Sequence, residues 1–166
     1  MTPKIGSSIT GKVIQRITGS TGVNSGLAAL TLGGPSAASP LSAAQVRSQN
    51  VAADIAERAT TMQFPAVNVY CEKIVNNLQE KFRTFSGTAQ MAIEVRHSQD
   101  RLDGLQDGLE VYVDAVMQTL NSSRGDWGDG MFYTGEYQAA YGPIKQGGKN
   151  FSQTAKITFE IGVSRS

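Results

Sequence analysis

The sequence predicts an α+β fold: a mainly antiparallel four-stranded sheet with helices packed on one face, in the order α-α-β-β-α-β-β, behind a long Gly/Ser/Ala-rich N-terminal arm. Three observations carry that prediction. Stretches of the second half alternate apolar and polar residues with the period of a half-buried strand. The stretch from Leu102 to Leu120 switches to helical spacing. Every Phe, Tyr and Trp lies at or after Phe64, which assigns the true core to the C-terminal part.

Taken in order, Ile5, Ile9, Val13 and Ile17 recur every fourth residue and predict a short amphipathic helix, with Ser7 and Ser8 as its cap and Lys12 and Arg16 on its polar side. The segment from Gly19 to Pro40 has loop composition and one small apolar patch, Leu27, Leu30 and Leu32. At 22 residues it is longer than an ordinary connection and reads either as a disordered linker or as an arm awaiting a partner. A second helix is expected from Ser42 to about Met62, where Val51, Ile55, Ala59 and Met62 share a face and Asp54 and Arg58 stand one turn apart. Phe64-Pro65 then disfavours helix and starts extended chain.

In PAVNVYCEKIV, the side chains of Val67, Val69 and Cys71 share one face of a strand; in TAQMAIEVRH, Ala89, Met91, Ile93 and Val95 do the same. The polar connection between them carries Phe82 and Phe85, whose rings are expected to tuck back onto the body. Leu102, Leu105, Leu109, Tyr112, Val116 and Leu120 give the best helix in the chain. The strands FYTGEYQAAY and TAKITFEIGVS follow, joined through KQGGKN, whose glycines suit a hairpin tip. The organisation is thus residues 1–62 as helices and arm, the arm at 19–41, and residues 63–166 as the α+β core of a single domain.

Composition narrows function. At 166 residues with 40% hydrophobic content the chain can bury one core, and a net charge of +1 gives no global attraction to nucleic acid or anionic membrane. No apolar run reaches the roughly 18 residues of a membrane span, and no secretory leader is legible, so a cytosolic origin and no membrane partner are expected. Single residues Cys71 and His97 supply neither a disulfide framework nor a zinc site.

Candidate chemistry is sparse. GSSITGKV, from Gly6 to Val13, matches the start of a phosphate-cradling loop, but Val13 replaces the metal-binding hydroxyl and no strand can precede it. Cys71 and His97 could pair as nucleophile and base, yet both share the inward parity of their strands and no orienting group is in view. Asp103, Asp107, Glu110 and Asp114 fall on one face of a helix without Lys or Arg. That face is open to three readings: acid/base or calcium chemistry, a solvated face, or the wall of a channel that repels a phosphate backbone. RGDWGDG, Arg124 to Gly130, lacks the ligand spacing of a calcium loop and the secretory route of an adhesion motif. It reads as a turn after a helix, with Arg124 and Gly125 ending that helix and Trp127 anchoring the loop. No catalytic residue, cofactor or metal is expected.

Several phrases together, FPAVNVYCEK, EKFRTFSG, IEVRHSQDRL, GDWGDGMFYTG and GPIKQGGKNFSQTAKITFEIGVS, resemble the tail terminator, or tail-completion, proteins encoded in the head-to-tail joining modules of tailed bacteriophages. The resemblance runs from about Phe64 to Ser164 and excludes the N-terminal arm. It implies a structural virion protein, assembled in the host cytoplasm. Such α+β subunits form a homo-oligomeric ring, typically hexameric, that caps the tail tube, meets neck or head-completion proteins, and lets DNA pass without specific binding. A related neck or connector ring, and a small enzyme using the acidic helix face with His97, remain as alternatives.

A ring needs a heterologous contact repeated around an axis. The candidate contacts are Leu27, Leu30 and Leu32 of the arm; the hairpin tip with Lys145, Lys149 and Asn150; and Phe82, Arg83 and Phe85, which have the composition of an interface anchor but equally suit internal packing. Trp127 either plugs its own core or reaches a neighbouring subunit.

Overall fold

The computed structural model describes residues 4–30, 39–50 and 63–166. Helix α1 spans Ile5–Thr18 and α2 Val23–Leu30, and a 3-10 turn at Ala43–Gln45 leads into the two-residue strand β1, Val46–Arg47. Then follow β2 (Ala66–Asn76), β3 (Phe85–Gln99), α3 (Leu105–Asn121), β4 (Gly125–Gly128), β5 (Met131–Tyr141), β6 (Lys145–Gly147) and β7 (Asn150–Arg165).

Two long strands form the spine. β3 and β7 pair antiparallel without a slip from Phe85↔Arg165 to Gln99↔Phe151, a ladder about 50 Å long at about 3.4 Å per residue. β2 joins the far side of β3, β5 the far side of β7, and β1 and β4 close the order β1-β2-β3-β7-β5-β4, while β6 pairs with the start of β7. β1 runs parallel to β2. The α+β class therefore holds and the sheet is mainly antiparallel, but it is mixed through the parallel β1–β2 pair and has seven strands rather than four. The three additional strands, β1, β4 and β6, are two to four residues long, too short to carry a readable period.

The helices cover the face predicted to be apolar. Val67, Val69, Ala89, Met91, Ile93, Val95, Ile157, Ile161 and Val163 form one core with Ile9, Val13 and Ile17 of α1 and with Leu109, Val113, Val116 and Leu120 of α3. Each of the larger side chains, Val, Leu, Ile and Met, contributes about 1.5–3 kcal/mol of burial. α3 starts at Leu105 instead of Leu102, because Gly104 adopts φ 78 there and leaves Leu102 exposed.

The N-terminal part departs most from expectation. The expected serine cap of α1 does not form: Lys4 precedes the helix, its carbonyl accepting the Ser8 amide at 2.9 Å, with no side-chain cap. The arm is not a featureless loop, since Val23–Leu30 is helical and packs along α3, where Gly26 allows close approach to Ala115. Asn24 fixes the far end of the arm, donating to the Leu41 carbonyl at 2.9 Å and accepting the Leu41 amide at 2.7 Å. The expected helix from Ser42 is, over its described part, a 3-10 turn and a short strand; Ser42 and Gln45 cap that turn reciprocally. Val51, Ile55, Ala59 and Met62 lie outside the described residues.

Candidate functional site

RGDWGDG forms a β-hairpin. Asp129 and Gly130 take φ 54 and 75, the positive pair a two-residue hairpin turn requires, and Gly128 pairs with Met131 across it. A Cβ on Gly130 would sit 1.9 Å from the Ser164 carbonyl oxygen. Gly125, at φ 124, begins β4 and does not end α3, whose C-cap is Ser122. Arg124 is likewise not at the helix terminus; its side chain lies over Gly135.

Trp127 belongs to its own core. It is 6% exposed, its indole N–H donates to the Ser123 carbonyl at 2.7 Å, and its ring meets Tyr133 edge-on at 5.7 Å, which in turn meets Phe159 at 5.4 Å. The Arg16 guanidinium stacks 4.5 Å from the indole centroid, a cation–π contact. Lys12 donates to the Trp127 carbonyl at 2.9 Å and pairs with Asp129 at 3.2 Å. The indole is therefore not free to reach a neighbour. Asp126 accepts the Gly128 amide at 2.8 Å, so both aspartates serve the turn.

The proposed chemistry of the other motifs is not assembled. Gly6 to Val13 lies inside α1, where from Ser8 onward its amides serve the helix and the stretch is not a loop that could cradle a phosphate. Cys71 pairs with Met91, six positions along β3 from His97, which separates thiol and imidazole by about 20 Å. Burial pushes the Cys71 thiol up and the His97 imidazole down, so both rest neutral. Among the described residues no group of three or more His, Cys, Asp or Glu side chains converges on a metal position, and no helix is long and apolar enough to cross a membrane.

What the chain presents instead is surface. Leu27, expected in an arm contact, is 2% exposed and part of the core; Leu32 lies outside the described residues, as does the side chain of Leu30. Phe85 is half-buried at the start of β3, whereas Phe82, expected to fold back, is 99% exposed. Lys145, Lys149 and Asn150 are exposed around the β6–β7 turn, with Gly148 at φ 65. Asp103 precedes α3; Asp107, Glu110 and Asp114 line the helix, and among the described residues none of them makes an ion pair. Burial and then Glu110 push the Asp114 carboxyl up, and burial with Asp114 and Glu110 pushes the Tyr141 hydroxyl up.

Two sheet features were not legible in the sequence. On the side away from the helices, Thr88, Gln90, Thr158, Glu160 and Gln138 line a shallow groove of about 430 Å³. β5 opens it, since the register jumps between Tyr133 and Tyr137 around Gly135 at φ 98. Nearer the start of β2 the same side is closed, with the Tyr70 hydroxyl donating to Glu94 at 2.6 Å and Arg96 pairing with Glu94 at 2.7 Å. The second feature is the pair of sheet edges. β1 pairs only Val67 and Asn68 of β2, and β4 ends its pairing at Tyr133 of β5. Among the described residues, Val69–Asn76 and Thr134–Tyr141 thus have no outer strand neighbour.

The fold and surfaces define an α+β protein that presents sheet edges and a polar sheet face. No family model matches the chain, and no curated protein matches it.

Proposed function

We propose that the chain is a ring-forming structural subunit of a bacteriophage tail, a tail terminator that caps the tail tube and joins it to the neck. One observation carries the reading: among the described residues the sheet has two open edges, on opposite flanks, that suit each other. Bulges included, 69–76 runs beside 93–87 of β3 and 134–141 beside 161–155 of β7, so each edge is about 20 Å long. They lie at similar heights, since β2 from Val69 faces positions 157–163 of β7 through β3, while Tyr133–Tyr141 pairs with positions 161–155. β5 runs opposite to β2, so the β5 edge of one copy meets the β2 edge of the next as an antiparallel pair. An edge contact of this kind is heterologous, and a constant rotation closes it into a ring.

The remaining support is the resemblance over residues 64–164, which implies a hexameric ring, a tube partner on one side and a head-completion partner on the other. In such a ring the polar sheet face with Glu136 and Glu160 lines the channel, where the cations Lys156 and Arg96 are engaged by Glu72 and Glu94 and the remaining carboxylates and amides hold a phosphate backbone weakly. The α3 carboxylates then sit on the outer layer, away from the DNA. The protein functions in the virion after assembly in the host cytoplasm.

Negative-stain microscopy of the purified protein, alone and mixed with tail tubes, tests the reading. Rings that seat on tube ends and stop tube growth are expected. Rings that ignore tubes but bind portal-side components identify a neck connector instead, and a persistent monomer that leaves tube ends bare refutes both.

A further inference from the structure

Both open edges carry an unfinished border of the core. On the helix side of the β2 edge stand Cys71, half-buried, and Ile74, 46% exposed; on the helix side of the β5 edge stand Tyr137 and Ala139, half-buried, and Tyr141, 41% exposed. Their ladder partners Met91, Ala89, Phe159, Ile157 and Ala155 are buried. The apolar layer therefore runs outward through the sheet and stops where the strands do, leaving the last side chains partly in water.

Positions along β7 give the two edges a common scale of height. Through β3, Val69 is level with Ile157, Cys71 with Phe159, Lys73 with Glu160 and Ile74 with Ile161. On the other flank Tyr137 is level with Phe159, Ala139 with Ile157 and Tyr141 with Ala155. If two copies met without an offset, Ile74 would come level with Tyr133, which Gly125 of β4 already covers, and β1 of one copy would fall against Ala140 and Tyr141 of the next. An offset of one residue would set helix-side residues against polar-side ones. An offset of two residues, from level 161 to 159 and from 157 to 155, clears β4. It sets Ile74 opposite Tyr137, Cys71 opposite Ala139 and Val69 opposite Tyr141. β1 then lies past the end of β5, level with Gly142, whose amide donates to the Thr154 carbonyl.

We propose, resting on the ring reading above, that neighbouring copies pair β2 with β5 in this one register, offset by two residues or about 7 Å. The two most exposed apolar side chains of the edges, Ile74 and Tyr141, are then both covered by cross-strand partners. On the polar side the same register sets Lys73, exposed and in no ion pair among the described residues, opposite Gln138 at the groove that holds Glu136 and Glu160. Glu72, the extra residue of the β2 bulge, stays with Lys156 of its own copy. A ring has no rise, so a constant offset between copies is met by tilting the strands from the ring axis.

The native Cys71 provides the test in the full-length chain. In the proposed register Ala139→Cys places a second thiol opposite Cys71 of the next copy, whereas Tyr137→Cys does so only without an offset. Diamide takes two electrons and two protons from a facing pair of thiols. It is expected to link Ala139→Cys into a ladder of covalent multimers on a non-reducing gel, lost on reduction, and to leave wild type and Tyr137→Cys as single chains. Ile74→Asp is expected to weaken association about tenfold or more by sedimentation velocity, with an unchanged circular dichroism spectrum. Leu102→Asp, at a 53% exposed site away from both edges, is expected to leave association unchanged. A ladder from Tyr137→Cys and none from Ala139→Cys overturns the proposal, as does Ile74→Asp associating like wild type. Rings seen by microscopy without a ladder from Ala139→Cys overturn this register and leave the ring reading standing; monomers throughout overturn both.

Discussion

Replacing Trp127 with alanine tests whether the RGDWGDG hairpin is held by its own core. The indole is 6% exposed and packs against Tyr133, so its loss leaves a cavity as well as forfeiting transfer free energy. Together these cost about 3–5 kcal/mol for a buried aromatic. That sum already includes the hydrogen bond to Ser123 at 2.7 Å, about 1 kcal/mol, and the Arg16 stacking at 4.5 Å, about 0.5–1 kcal/mol. Trp127→Phe keeps a ring against Tyr133 and forfeits mainly the N–H, so it should cost about 1–2 kcal/mol. Urea unfolding followed by far-ultraviolet circular dichroism measures both, since the substitution removes the only tryptophan fluorophore. A cost below about 0.5 kcal/mol for Trp127→Ala, the range of ordinary surface changes, would refute the burial argument and return Trp127 to the list of interface candidates.

Three further outcomes follow from local geometry. Phe82→Gly relieves a positive φ of 63 at a fully exposed site and should raise stability by up to about 1 kcal/mol by urea titration; a loss would show that the ring packs on its own chain. Gly130→Ala meets the Ser164 carbonyl at 1.9 Å with φ 75 and should cost about 2–4 kcal/mol, whereas Gly148→Ala, with open space at φ 65, should cost only about 1 kcal/mol; equal costs would contradict the close approach. His97 has its folded pKa depressed below 6.5 by burial, so the unfolded chain takes up the proton first as pH falls. Its contribution is present above pH 6.5 and lost as acidification passes through the lower folded value. Urea midpoints between about pH 8 and about pH 5 should fall in wild type and flatten in His97→Gln; parallel slopes would remove His97 as the cause.

The long strands and α3 were legible because burial enforces a period. Val67 and Val69, Ala89 to Val95, and Ile157 to Val163 alternate because one side meets helices and the other does not. Leu105 to Leu120 follow the helix repeat for the same reason. The N-terminal helix α2 was not legible: VNSGLAAL has a glycine at its centre and small residues around it, a composition that reads as loop when taken alone. Its helicity comes from packing, with Gly26 against Ala115 and Leu27 in the core, a tertiary override of weak propensity. The short strands were hidden for want of length. Phe82 and Phe85 show the limit from the other side. They are three residues apart in one segment, yet one ring is half-buried and the other bare. Only the backbone decides it, since Phe82 at φ 63 aims its side chain away from the strands that hold Phe85.

The direction of the strands decides what a ring built on these edges presents to its neighbours. Cyclic symmetry preserves direction, so in a ring closed through the β2 and β5 edges every β2–β3 loop, with Phe82 bare at its tip, lies on one rim, and every β6–β7 turn, with exposed Lys145 and Lys149, lies on the other. An interface that repeated the same chemistry on both rims would bind tube and neck alike and could not tell the two sides of the joint apart. Two rims built from different loops supply that distinction from a single chain.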